Sequence, residues 1–290
     1  MSITLVSAFF DIGREKYEVL PRSKEKYIND FKRWARIQND LIFFCDNKVI
    51  GDKVMEIRKE FGRENNTKII VKDIFEVEPE ILNKMEAIEK DPYFLNFRKL
   101  KETPENKANY NYVVFMKFYC IYEASKIINF NTQLTWIDFG FEHGGGVFLD
   151  ESDYDFLWDY DFGNKINLFR LPYEETRPIF EVCRTIHPDS LMGGIMVIPS
   201  TLAEDFWNCA KNSTISLCDV GLMDDDQLIE LMISRKLKDK VIVHQSNWFM
   251  PIRDFGGSHF KLKPKPKKPN IFKRGFRKIK RIIKNIINKG

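Results

Sequence analysis

Leu134-Thr135-Trp136-Ile137-Asp138-Phe139-Gly140 is an apolar run that closes on one carboxylate and a glycine. Its β-branched and aromatic content reads as a buried strand, which Gly140 terminates. Asp138 then falls at the C-terminal edge of a sheet, where open α/β folds take their ligands. A carboxylate there suits a divalent cation beside a phosphate, because hard cations prefer oxygen ligands. A lone Asp after a strand more often caps the next turn, so the surrounding chain has to supply a second reason.

Upstream, Ile3-Thr4-Leu5-Val6-Ser7-Ala8-Phe9-Phe10 is a strand that runs into the polar turn Asp11-Ile12-Gly13-Arg14. The spacing of Tyr27, Phe31, Trp34 and Ile37 predicts a helix over about 23–39. Leu41–Cys45 and Lys68–Val71 are further strands, closed by Asp46-Asn47 and Lys72-Asp73, with a helix over about 52–61 between them. This alternation implies a parallel sheet with right-handed crossovers, each strand delivering polar residues to one edge. Residues 79–109 read as helical pieces with loops, and 112–128 as a long helix feeding the Asp138 strand. Downstream come a strand entered through Gly193-Gly194, a helix over 201–212, and a second helix opening at Asp224-Asp225-Asp226-Gln227. A late strand, Val241–His244, precedes Trp248.

A chain of 290 residues with 43% hydrophobic and 14% aromatic content suffices for one large α/β domain or two small ones. Its net charge of +4 is unevenly spread. Residues 261–290 hold thirteen Lys or Arg and no acid; the remaining 33 basic residues face 42 acidic ones, so residues 1–260 carry about −9. Five cysteines stand singly, which argues against a disulfide framework or structural zinc and for a reducing compartment. The N-terminal apolar stretch lacks a basic lead and reads as a strand, not a signal peptide. No segment is long enough to span a bilayer. A cytoplasmic protein is expected.

The opening Thr4–Arg14, with Phe115-Met116-Lys117-Phe118 and Trp136–Gly140, resembles the HtrL/YibB family of bacterial proteins over most of residues 1–250. That family is associated with surface-polysaccharide gene clusters and is similar to nucleotide-sugar glycosyltransferases of GT-A type. The resemblance implies a GT-A-like, Rossmann-type, mostly parallel sheet flanked by helices. It implies a UDP-sugar donor and a divalent metal, Mn²⁺ or Mg²⁺, which stabilises the diphosphate as a Lewis acid. By position, Asp138 is the strand-end metal ligand. The usual D-x-D is here Asp138-Phe139-Gly140, so its second carboxylate is missing. A late His completes the metal site in some GT-A families, which makes His244 and His259 candidates; a lone His is otherwise most often structural.

The same resemblance puts the uridine at Ala8, Phe9 and Asp11, with Asp46 helping to hold it or closing an Asx turn. Arg14 and Lys117 are candidates for neutralising phosphate. Lys117 lies in an apolar-aromatic helical run, where a cation needs a reason unless it snorkels to solvent. Gly193 and Gly194 permit close approach by a ligand and line the sugar and acceptor pocket. Three successive carboxylates at Asp224–Asp226 exceed what a helix cap needs. Resemblance to the D-D-Q or D-E-Q pattern of such enzymes implies that, in an inverting enzyme, Asp225 or Asp226 is the base that deprotonates an acceptor hydroxyl. Trp248 is either a platform for a sugar ring or a core residue.

In the tail, Phe272, Phe276, Ile279, Ile283 and Ile286 form one helical stripe among basic residues, after the extended linker Lys263–Pro269. Such a helix lies in the interface of an anionic membrane, and nucleic acid ranks behind it because no stacking platform or RNA motif is present. The expected organisation is a GT-A-like domain over 1–260 and a membrane-associating segment over 261–290. The expected activity is sugar transfer to a lipooligosaccharide, capsule or other lipid-linked acceptor at the cytoplasmic membrane face. A membrane-recruited scaffold or another metal-dependent phosphoryl-handling enzyme are the alternatives.

Overall fold

The computed structural model describes residues 2–185 and 191–264. Among them seven strands form one sheet: β1 (Ile3–Phe9), β2 (Leu41–Cys45), β3 (Thr67–Val71), β4 (Gln133–Ile137), β5 (Ile166–Arg170), β6 (Ile195–Pro199) and β7 (Val241–Gln245). Their order is β3-β2-β1-β4-β6-β5-β7. All neighbours pair in parallel except β6, which runs antiparallel to both β4 and β5. The sheet is thus mostly parallel. The chain winds outward from β1 to β3, then crosses back so that β4 pairs with the other side of β1. That reversal creates a switch point between the C-terminal ends of β1 and β4.

Nine α-helices surround the sheet among the described residues: α1 (Lys24–Trp34), α2 (Lys48–Glu60), α3 (Pro79–Lys90), α4 (Pro92–Phe97), α5 (Ala108–Ser125), α6 (Ile179–Thr185), α7 (Ala203–Asp219), α8 (Asp226–Lys236) and α9 (Pro251–Asp254). Alternation along the strands splits the core in two. Leu5, Phe9, Phe43 and Ile137 pack with Phe31, Trp34, Val54 and Ile57 of α1 and α2. Val6, Phe44, Leu134 and Trp136 pack with Phe115 and Phe118 of α5, Phe206 of α7 and Leu228 of α8. β4 and β6 are buried along their whole length, as interior strands covered on both faces must be. Helix α5 is buried on nearly every side, which explains why it is apolar all round.

Several boundaries differ from the sequence reading. Helix α1 stops at Trp34 and not at 39, and the reason is Arg58 of α2. This fully buried guanidinium donates to the carbonyls of Ala35 (2.7 Å), Ile37 (2.5 Å) and Asn39 (2.8 Å), which satisfies the segment after Trp34 without helical bonds. Helix α2 starts earlier than 52 because the Asn47 side chain accepts from Ile50 N at 3.1 Å and caps it. Helix α7 extends to Asp219, past the expected 212. Strand β5 is not anticipated at all: Asn167 is the second of its five residues, buried because its amide reaches the carbonyls of Phe162 and Lys165.

The tail helix and most of the Pro/Lys linker lie outside the described residues, as does the membrane contact expected of them. Among the described residues no helix is long and apolar enough to cross a membrane.

Candidate active site

A pocket of about 480 Å³ opens at the switch point. Ala8, Phe9, Asp11 and Arg14 line it from β1 and the following turn, and Lys117 from α5. Asp138 enters from the end of β4, Gly193 and Gly194 from the approach to β6, Asp225 and Asp226 from the start of α8, and Trp248 from beyond β7. Its volume is in the range of sites for small polar ligands.

The β1 side is held by a chain of short contacts. Asp46, at the end of β2, accepts from Asp11 N at 2.9 Å and does not itself line the pocket. Asp11 accepts from Gly13 N at 3.0 Å and pairs with Lys24 at 2.6 Å. Gly13 takes φ +67, a left-handed conformation that glycine adopts without penalty. Arg14 donates to the Leu20 carbonyl at 3.2 Å and lies over the rings of Tyr17 and Tyr110.

The floor separates the three successive carboxylates by role. Asp224 is fully buried in an ion pair with Arg98 at 3.0 Å, itself fully buried. Asp225 caps α8 by accepting from Gln227 N at 3.1 Å. Asp226 accepts from Lys117 Nζ, which also donates to the Gly193 carbonyl at 2.9 Å and lies 3.4 Å from Asp138 Oδ1. Trp136 Nε1 donates to the same Asp138 oxygen at 2.7 Å, since residues two apart on a strand share a face. The Lys117 side chain is 5% exposed and that of Asp138 is 44% exposed. The amine therefore sits in the floor while the carboxylate looks into the pocket.

Burial dominates the electrostatics. It pushes the carboxyl of Asp225 far above the usual range, and the neighbouring Asp226 and Asp224 charges add to it. Asp226 is also raised by burial, against the pull of Lys117. One turn along α8, Glu230 is fully buried, neither of its oxygens has a hydrogen-bond partner, and burial raises it well above normal. Lys117 is pulled down by burial but pulled up more by Asp138 and Asp226, so it stays charged. His143, at the rim, is lowered by burial and by the charge of Arg22.

Residues 1–257 match the family described as a bacterial protein of unknown function, HtrL_YibB. The chain belongs to the HtrL_YibB family. Protein HtrL of Escherichia coli K12 is 29% identical over 273 residues, which cover 88% of this chain and 92% of that one. Among solved structures, a galactosyltransferase, LgtC, in complex with donor and acceptor sugar analogues aligns with TM-score 0.45 and 11% identity, covering 83% of this chain and 72% of that one.

In this HtrL_YibB chain two of the expected metal ligands do not join Asp138. His244 Nε2 is 2.7 Å from Asn167 Oδ1 and its ring stacks on Phe169. His259 Nε2 is 2.8 Å from the Asp153 carbonyl, with its ring against Phe156 and Phe260. Neither lines the pocket. Among the described residues no three His, Cys, Asp or Glu side chains converge as a metal centre requires. With Asp138 Oδ1 and Asp226 already joined to Lys117, the side chains present do not fit a protein-held divalent ion.

Two residues at the site were not read from the sequence, Tyr110 in the lining and Glu230 behind it. Tyr110 precedes Lys117 by seven residues on α5 and so shares its face. Glu230 stands four residues after Asp226, the spacing that would have placed it behind the floor. The rim after Asp138 is a run of four left-handed residues, Glu142 (φ +60), His143 (φ +49), Gly144 (φ +84) and Gly145 (φ +88). Glu142 fixes that run, accepting from the amides of Val147 (2.7 Å) and Phe148 (2.6 Å) and from the Tyr154 hydroxyl (3.1 Å).

Proposed function

We propose that this chain is a nucleotide-sugar glycosyltransferase, with a UDP-linked donor. The observation that carries the reading is the switch-point pocket. A basic side from Arg14, Arg22 and Lys24 meets an acidic floor from Asp225 and Asp226 within it. A diphosphate calls for cations and a sugar calls for hydrogen-bond acceptors beneath its hydroxyls, so one ligand with both ends suits both walls. Trp248 at the mouth is 41% exposed and offers a flat apolar face to a sugar ring.

In the transfer an acceptor hydroxyl oxygen bonds to the anomeric carbon of the donor. The bond from that carbon to phosphate breaks, the nucleoside diphosphate departs, and the hydroxyl proton passes to a carboxylate. Asp225 takes that proton in this reading, because it lines the pocket while its neighbours are engaged, Asp224 by Arg98 and Asp226 by Lys117. Asp226, neutralised by Lys117, holds the sugar side of the floor. The acceptor is a lipid-linked or lipooligosaccharide glycan. The protein works at the cytoplasmic membrane face, drawn there by the basic amphipathic segment after residue 261.

The test is thermal stability of the full chain against a panel of nucleotides and nucleotide sugars. A ligand at a hundred times its dissociation constant stabilises by about 2.7 kcal/mol. A rise with UDP or a UDP-sugar that Arg14→Ala removes supports the donor site. No response to any nucleotide overturns it.

A further inference from the structure

We infer that Lys117 is the built-in cation of this pocket, and that donor binding proceeds without a divalent metal. Three separate parts of the fold deliver oxygens to its amine: Asp138 Oδ1 at 3.4 Å from the end of β4, the Gly193 carbonyl at 2.9 Å before β6, and Asp226 Oδ2 from α8. Carboxylates and carbonyls are the donors a hard cation would choose, and here an ammonium has them. Asp138 Oδ1 has a second partner in Trp136 Nε1 at 2.7 Å, so that oxygen is doubly engaged. The amine is enclosed, with the Lys117 side chain 5% exposed, and cannot swing out to solvent as a surface lysine would.

Position 140 points the same way independently. A Cβ on Gly140 would lie 3.0 and 3.1 Å from ring carbons of Tyr27 and 3.7 Å from a carboxylate oxygen of Asp30. A second carboxylate at that position would press on an aromatic ring and meet another acid. The loss of the D-x-D pattern is thus built into the packing of α1 against this turn. The chain has filled the space of the missing ligand and placed a fixed positive charge beside the remaining one.

The inference rests on the donor reading only where a nucleotide is involved, and its first test avoids nucleotides. The full chain is titrated into Mn²⁺ alone and the aqua-ion signal followed by electron paramagnetic resonance. The expected result is an unchanged signal with the wild-type chain, and uptake of one ion by Lys117→Met, whose oxygens are vacated; circular dichroism confirms its fold. Uptake of one Mn²⁺ by the wild-type chain that Asp138→Asn abolishes overturns the inference. In a second measurement UDP is titrated in chelator and in excess Mn²⁺. Dissociation constants agreeing to within about twofold support the built-in cation, and a gain of about tenfold or more with Mn²⁺ overturns it. If UDP binds in neither condition while the wild-type chain leaves Mn²⁺ free, the donor reading fails and the assignment of Lys117 stands.

Discussion

Gly193 and Asp226 occupy one space: a Cβ on Gly193 would lie 1.9 Å from Asp226 Oδ2 and 3.2 Å from Glu230 Oε1. The glycine exists so that a carboxylate can reach Lys117 beneath it. Gly193→Ala is expected to push Asp226 off the amine and lose about 1–3 kcal/mol through overpacking. Urea denaturation measures the loss, and UDP binding should vanish with it. An alanine variant with unchanged midpoint and affinity would mean that Asp226 can move without consequence.

Glu230 makes stability depend on pH. Its carboxyl holds its proton to higher pH in the folded chain than its ordinary value of 4.5 in the unfolded one. The folded state therefore binds more protons above that value, and stability declines as pH rises. Glu230→Gln keeps the shape and removes the ionisation. Melting curves of the two chains should meet at low pH and separate progressively above it, with the variant the more stable. Parallel curves across the range would show that Glu230 is not held neutral.

Arg98 and Asp224 form a fully buried pair outside the pocket lining. Arg98→Met leaves a buried carboxylate without its cation and should cost about 3–5 kcal/mol, whereas removing both charges restores most of that. Chemical denaturation of Arg98→Met and of Arg98→Met with Asp224→Asn gives the comparison. Equal losses in both would show that the pair is no more than a packing contact.

The two pocket aspartates should separate kinetically once a donor and acceptor are in hand. Asp225→Asn keeps the acceptor of the helix cap and removes the base, so kcat should fall by about a hundredfold to ten-thousandfold with donor affinity retained. Asp226→Asn leaves Lys117 with less counter-charge and should weaken donor binding as well. Asp225→Asn at full kcat would move the base elsewhere.

How far the sequence could be read depended on the physical range of each signal. Strands β1, β2, β4 and β6 announced themselves because buried interior strands are unbroken apolar runs, and polar residues just past them marked the ligand edge. Strand β5 stayed hidden because Asn167 interrupts so short a run, and its burial depends on carbonyls that only the folded chain supplies. The end of α1 was illegible for a similar reason: its carbonyls are claimed by Arg58, more than twenty residues away. In the pocket, residues next to strand ends were found by position. The separation of Asp224, Asp225 and Asp226 was not, because Arg98 and Lys117 reach them from 126 and 109 residues away.

That same reach in sequence bears on how the protein is made. Lys117 and Asp138 leave the ribosome early, with the strands that flank the switch point, whereas Gly193 and Asp226 follow only near the end of synthesis. In a nascent chain that stops short of α8 the lysine has one carboxylate and the pocket lacks Asp225 and Asp226. The pocket as a whole is therefore a property of a chain that extends past α8 to Trp248, and a product that stops before α8 would carry the recognisable strands without the floor.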